Sequence, residues 1–239
     1  INVVFSTYLL CSCQSPVSFG DAVAIWHLSD VNDRTEENSA LQIRREVPFV
    51  ELKGDEAAES RKRGGDGVAA HLTEGWLEAG QGLDDELNLT GKYVSILVRM
   101  KLDTIKGYTP ILMKVGSDQS MAYKMAVYQA EGDNILEVLI GSDEIAGAHQ
   151  LIYRLQEEEL TTWHDVIFRF NGKKSELYVD GKLRDDEVTV GEIRNWNRNP
   201  VLIGAEYPAG EGYGDNTSIQ PLAQLTGWID HVVLWNRCL

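Results

Sequence analysis

The sequence predicts an all-β fold, a sandwich of two antiparallel sheets, and three features carry that expectation. The first is residues 163–181. There Val166, Phe168 and Phe170 share one face of an extended strand, Asn171-Gly172 makes a tight turn, and Leu177 and Val179 alternate on the return before Asp180-Gly181 turns again. The second is residues 93–102, where Ile96, Val98, Met100 and Leu102 fall on one face and Arg99 and Lys101 on the other. This is the pattern of a half-buried antiparallel strand with its charges turned outward. The third is spacing: short apolar runs recur at 110–115, 122–128, 135–140 and 149–155 with no long helix between them.

The remaining elements follow in order. Residues 22–28 read as the opening strand and 29–39, rich in Asp and Asn, as a loop. Residues 41–43 and 47–52 are short strands, and 57–62 form one or two helical turns ended by Gly64-Gly65-Asp66-Gly67. No Gly-Lys-Ser/Thr follows those glycines, so they read as a turn rather than a phosphate cradle. Strands at 68–72 and 76–79 flank a Thr73-Glu74-Gly75 turn, and 84–89 reads as a short helix. A long Gly- and Asn-rich connection occupies 196–222. No repeat, low-complexity linker or composition shift interrupts the chain after residue 20, so 20–239 is one domain and 1–19 stands apart from it.

Composition narrows the function. A single sandwich accommodates 239 residues, and six Trp and nine Tyr supply large side chains for its core. Cysteines stand only at 11, 13 and 238, so no internal disulfide or C-x-x-C metal site is expected. A net charge of -15 excludes nucleic-acid binding, which needs concentrated Lys and Arg, and leaves neutral partners such as sugars open. Arg61-Lys62-Arg63, diluted by Glu56, Glu59 and Asp66, reads as a solvated loop. Residues 1–15 are apolar, lack an initial Met and run into Leu10-Cys11-Ser12-Cys13, like the tail of a bacterial secretion signal with a lipoprotein box. On that reading Cys13 is acylated and the protein is secreted or held at the cell surface. The alternatives are a signal cut by an ordinary peptidase and a misread start. The stretch is too short to span a membrane, so a lipid on Cys13 is the one membrane link expected.

Trp163-His164-Asp165-Val166, Asn171-Gly172 and Leu177-Tyr178-Val179-Asp180-Gly181 resemble the recurring segment of the laminin-G-like, concanavalin A-like jelly rolls. Residues 200–204 and 225–237 fit the same family in order. The chain is also similar to the module preceding the catalytic domain of some bacterial family 32 glycoside hydrolases. That likeness lies in Arg63-Gly64-Gly65-Asp66-Gly67, Ala79-Gly80-Gln81-Gly82 and Glu86-Leu87-Asn88-Leu89-Thr90-Gly91. The resemblance implies a jelly-roll sandwich and an accessory role beside a β-fructosidase, with a catalytic domain downstream in cis and fructan as a ligand. It further implies a structural Ca²⁺ between the first and last strands, with Asp21 and Asp230 as the nominated oxygen ligands.

Catalysis is not expected of this segment. Glycoside hydrolysis needs two positioned carboxylates. The Glu-x-Asp-x-x-Glu or Glu-x-Asp-x-Glu strand of catalytic glucanases of this fold is absent, and Asn32-Asp33-Arg34 departs from the family 32 nucleophile segment after two residues. Glu157-Glu158-Glu159 and Asp185-Asp186-Glu187 read as solvated turns, and no Gly-x-Ser-x-Gly or His-Glu-x-x-His occurs. His164 invites reading as a general base, but at this family position it helps begin a core strand. His231, beside Asp230, is a proton-transfer candidate of the same kind. Aromatics among Asn and Asp in the long connection suit stacking and hydrogen bonding to sugars, and nominate Trp196, Tyr207, Tyr213 and Asn216 for carbohydrate binding. The expected function is a lectin-like accessory module that binds a polysaccharide or oligosaccharide. The alternative is a structural or protein-interaction domain with no sugar ligand.

Overall fold

A computed structural model describes residues 19–32, 34–35, 40–80, 87–89, 91–115, 122–143, 148–193, 199–208 and 220–239. The chain begins with β1 (Ala24–Trp26), β2 (Gln42–Arg44), β3 (Phe49–Glu51) and helix α1 (Gly54–Lys62). Then come β4 (Val68–Leu72), β5 (Trp76–Ala79), β6 (Val94–Leu102), β7 (Tyr108–Lys114), β8 (Tyr123–Ala130), β9 (Asp133–Gly141) and β10 (Ala148–Leu155). It closes with β11 (His164–Phe170), β12 (Lys174–Val179), β13 (Lys182–Val188), β14 (Val201–Ile203), β15 (Ala205–Glu206), β16 (Ala223–Gln224) and β17 (Gly227–Trp235).

Among the described residues one sheet runs β13-β12-β11-β6-β17-β4-β3, with β1 also on β17, and the other runs β10-β9-β8-β7-β14-β5-β2. All pairs in both sheets are antiparallel. The expected sandwich is present, with strand ends moved by one or two residues, some of them outward, as in β9, and with Asp185-Asp186-Glu187, expected as a turn, paired within β13. Of the segment expected to be a short helix, 84–86 lies outside the described residues and 87–89 form a turn and bend.

The meander follows its residue pattern. Val166 stands opposite Val179 and Phe168 opposite Leu177, while on the other side Val98 meets Val166 and Ile96 meets Phe168. These inward positions join Met125, Val127, Leu136 and Val138 from the second sheet in one core. Asp180 and Gly181 both take positive φ, 52° and 73°, the requirement of a two-residue hairpin whose twist matches its strands. At the preceding turn the Asn171 Oδ1 accepts from the Lys173 and Lys174 amides at 3.0 and 2.8 Å.

The first sheet departs from expectation on its outer face. Arg99 is not turned to water: it is 3% exposed, and β6 is buried on both sides. Part of the cover is a second apolar cluster of Ile25, Leu97, Ile167, Val233 and Trp235, against which Phe19 and Leu239 pack. The other part is α1, whose buried Ala57 and Ser60 face inward. Ser60 donates to Asp230 Oδ1 at 3.0 Å. Gly65 passes so close that a Cβ there would lie 2.4 Å from the same oxygen. The basic triplet is likewise not a solvated loop. Arg61 and Lys62 end α1 and favour its dipole, and the Arg63 guanidinium reaches Asp165 and Glu59.

Candidate functional site

Strand β5 has period 2, so Leu77 and Ala79 enter the core while Trp76 joins a small apolar cluster with Met113, Leu202 and Ala205 on the outer face of the second sheet. Pairing with β2 sets Arg44 opposite Trp76. After β14 the chain kinks at Gly204, whose φ of 82° places its missing Cβ 2.7 Å from Leu72 Cδ1, so only glycine fits the bend. That bend carries Tyr207 over Trp76, with the rings edge-on at 6.1 Å, and a Leu222-to-Glu206 backbone bond of 2.7 Å returns the chain alongside.

The result is a cleft of about 230 Å³ lined by Ile43, Arg44, Arg45, Trp76, Tyr207 and Gln220. Beneath it lies Glu78, 3% exposed, a buried carboxylate with several donors. Trp76 Nε1 donates to it at 3.0 Å and Arg44 Nε at 2.8 Å, and the Tyr207 hydroxyl donates as well. Burial first, then the hydrogen bond and charge of Glu78, push the Tyr207 hydroxyl well above the ordinary tyrosine value, so it stays a donor across physiological pH. Arg45 lies over the Trp76 ring, 5.6 Å from its centroid, and donates to the Gln220 side-chain carbonyl. Trp76 is only 4% exposed, whereas Tyr207 is half-buried, and both line the cleft.

Of the residues nominated from the sequence, Tyr207 is in this cleft. Trp196, Tyr213, Asn216 and Cys13 lie outside the described residues. The strand adjacency behind the calcium expectation is present, Ala24 pairing with Leu234. Yet Asp21 is 71% exposed with Oδ2 3.7 Å from Arg237 Nε, and Asp230 is wholly buried with Oδ2 3.2 Å from Arg99 Nε. A guanidinium is thus already the counter-charge of Asp230 and would oppose a calcium ion there. Among the described residues no three His, Cys, Asp or Glu side chains are grouped to hold a metal. His231 is fully enclosed, its Nδ1 3.6 Å from Asp230 Oδ2.

His164 is a clamp. Its Nδ1 meets Asp180 Oδ2 at 2.8 Å and its Nε2 meets the Glu159 carbonyl at 2.7 Å, while Asp180 Oδ1 accepts the Asp165 amide at 3.0 Å. Burial opposes the histidine's charge, but the bonds to Asp180 and Glu159 outweigh it and raise its pKa. For Asp180 burial is likewise overcome, by the His164 and Asp165 bonds, and its pKa falls. The signs give a window. The histidine's contribution is complete below its ordinary 6.5 and fades as pH rises through the raised value. The aspartate's is complete above 3.8 and fades as pH falls through the lowered value. The difference in urea midpoint between the wild type and Asp180→Asn should therefore be largest between those limits and shrink on both sides. A difference constant with pH would contradict the clamp.

The outer face of the first sheet carries a second aromatic row. His71 stacks on Trp228 at 4.0 Å, and Lys101 sits 5.3 Å from Trp228 and 5.1 Å from Trp163. The indole N–H groups donate to Asp103 and Glu56, both at 3.0 Å, so their donors are satisfied within the protein.

The cleft residues missed in the sequence are Arg44, Arg45, Trp76, Glu78 and Gln220. Alternation in 76–79 does place Trp76 and Glu78 on one face. Their meeting with Arg44 and Gln220 is long-range, set by strand pairing and by the Gly204 bend.

No curated protein matches the chain. Domain 4 of AbnA, a GH43 extracellular arabinanase from Geobacillus stearothermophilus solved with arabinotriose, is similar in fold, with a TM-score of 0.58 and 13% identity over 92% of this chain and 94% of that one. The binding domain of botulinum neurotoxin serotype D/C is similar at a TM-score of 0.63 and 13% identity, over 93% of this chain and 50% of that one. Botulinum neurotoxin type C, described as depending on two ganglioside molecules for cell entry, gives a TM-score of 0.61 and 12% identity, over 92% and 49%. The chain thus spans about half the length of these toxin structures and nearly all of the arabinanase domain. At these identities the likeness is one of fold. A family model described as the concanavalin A-like lectin/glucanases superfamily matches residues 78–239, more than half of the sequence and including the meander, β14 and β17. The chain belongs to that superfamily.

Proposed function

We propose that this chain is a non-catalytic carbohydrate-binding module of a secreted glycan-degrading protein, and that sugar docks in the cleft of Tyr207 and Trp76. The observation that carries the proposal is the half-buried Tyr207 ring, held beside the polar side chains of Arg44, Arg45 and Gln220. A fixed ring and oriented polar groups are what a pyranose or furanose needs for stacking and hydrogen bonding. The cleft's volume suits one sugar unit of a longer chain. Glu78, the carboxylate beneath the cleft, is ion-paired with Arg44 and hydrogen-bonded by Trp76, whereas hydrolysis calls for two carboxylates across a scissile bond. Tethering an enzyme to its polymer raises local substrate concentration without chemistry in the module.

The arabinotriose in the arabinanase domain makes arabino-oligosaccharides worth testing. The resemblance to the module ahead of family 32 catalytic domains adds levan and inulin, with the catalytic domain in cis and Cys13 as lipid anchor. Titration of tryptophan fluorescence against these glycans should show saturable binding, and Tyr207→Ala should weaken it about ten-fold, the scale of a lost aromatic contact plus its area. Absence of binding to every glycan would favour the second reading, a packing module. That reading is supported by the exposed Leu183, Val188 and Val190 on and just after the edge strand β13.

A further inference from the structure

Resting on that reading, we infer that the cleft selects a sugar bearing a carboxylate, a uronate unit, over a neutral one. The inference comes from matching donors to acceptors. Glu78 is enclosed and accepts from Trp76, Arg44 and Tyr207, so it offers little to a ligand. The Gln220 carbonyl accepts from Arg45, which leaves its NH₂ group as a donor. Arg44 uses only Nε on Glu78, and Arg45 makes one side-chain hydrogen bond, so most N–H groups of both guanidinium groups remain without a protein acceptor among the described residues. The cleft therefore presents donors almost exclusively. A neutral sugar's hydroxyls both donate and accept, and their O–H donors would be unmatched here. A carboxylate only accepts, and it fits a guanidinium fork two bonds at a time.

Charge agrees with this. Arg44 is neutralised by Glu78, but Arg45 has no carboxylate partner among the described residues, so the cleft mouth is locally cationic in a chain whose overall charge of -15 would by itself favour a neutral sugar. Its backbone is also in the left-handed region, φ 61°, which favours Gly or Asn. The conformation holds the guanidinium over Trp76 at the cleft mouth. Arg45 is thus an exposed cation with open donors, on a backbone that Gly or Asn would occupy with less strain.

The test is isothermal titration of the chain with trigalacturonic acid and with its carboxyl-reduced, neutral counterpart. The acid should bind about ten-fold or more tightly than the neutral trisaccharide, the scale of a charge-assisted hydrogen bond, with a preference that shrinks as salt rises. Arg45→Asn, which tolerates the local φ, should fold at least as stably as the wild type yet lose the preference. Arg45→Lys, which keeps the charge, should retain part of it. Equal binding of the two sugars would overturn this inference and leave carbohydrate binding standing, as would a preference for the acid that survives in Arg45→Asn. Binding of neither, nor of any glycan above, would overturn both.

Discussion

Asp165→Ala should destabilise the protein by about 3–5 kcal/mol, the loss that follows when one partner of a buried ion pair is removed and the other charge stays behind. Asp165 is 1% exposed and binds two guanidinium groups, Arg63 through Oδ2 and Arg99 through Oδ1 at 3.0 Å. Arg99 in turn faces Asp230, and Asp230 takes the Ser60 hydroxyl of α1. Truncating Asp165 therefore leaves Arg99 buried with one carboxylate, and removes the Arg63 ion pair between the end of α1 and β11. The measurement is urea unfolding followed by tryptophan fluorescence. The Asp165→Ala, Arg63→Ala double mutant should fall well short of the sum of the singles, because the two groups share one interaction. Additive losses would show that the Arg63–Asp165 pair does not help to hold α1.

Phe168→Ala should cost about 3–5 kcal/mol as well, by a different mechanism. Phe168 is fully buried on the inner face of β11, with Ile96 on one neighbouring strand and Leu177 on the other. Removing the ring loses its transfer free energy and leaves a cavity that two rigid sheets cannot close. Phe168→Leu should cost distinctly less. The same unfolding experiment, at constant slope, separates this loss of stability from a change in the unfolded state. An effect under about 1 kcal/mol for the alanine variant would mean the sheets do collapse onto the gap.

The two positions differ in what made them visible. Phe168 is legible because a strand's side chains alternate, so any apolar residue at every second position of 164–170 belongs to the core whatever sheet it joins. The Asp180-Gly181 turn is legible for the same local reason. The partnership of His164 with Asp180 is half legible. The resemblance marked both residues as part of one recurring segment, and the hairpin brings residues 16 apart in the chain to 2.8 Å. Asp165 stands in the same recurring segment, yet nothing in the segment marks it as one half of a buried ion pair. Its partners Arg99 and Arg63 both read as exposed. Each is covered by an element far away in the chain, and alternation says which face a side chain takes but not whether something else lies on that face.

The cleft repeats the lesson. Tyr207 was found because an aromatic residue in a long Gly-rich connection stands out by composition. Arg45 was passed over because an arginine in a short, charged segment looks like ordinary surface. Its distinction is that Gln220, 175 residues on, and Trp76, on the paired strand, hold it with its donors open. What the sequence by itself determined is whatever depends on neighbours within a hairpin: the all-β class, the inward face of most strands, the turns at Asn171-Gly172 and Asp180-Gly181, and the family. Tertiary structure alone decided the buried charge network on the outer face of the first sheet and the donor-rich cleft on the outer face of the second. The physical reason is that a charge is defined by its counter-charge. In this fold those partners arrive from other strands and from α1, through pairings that no local pattern encodes.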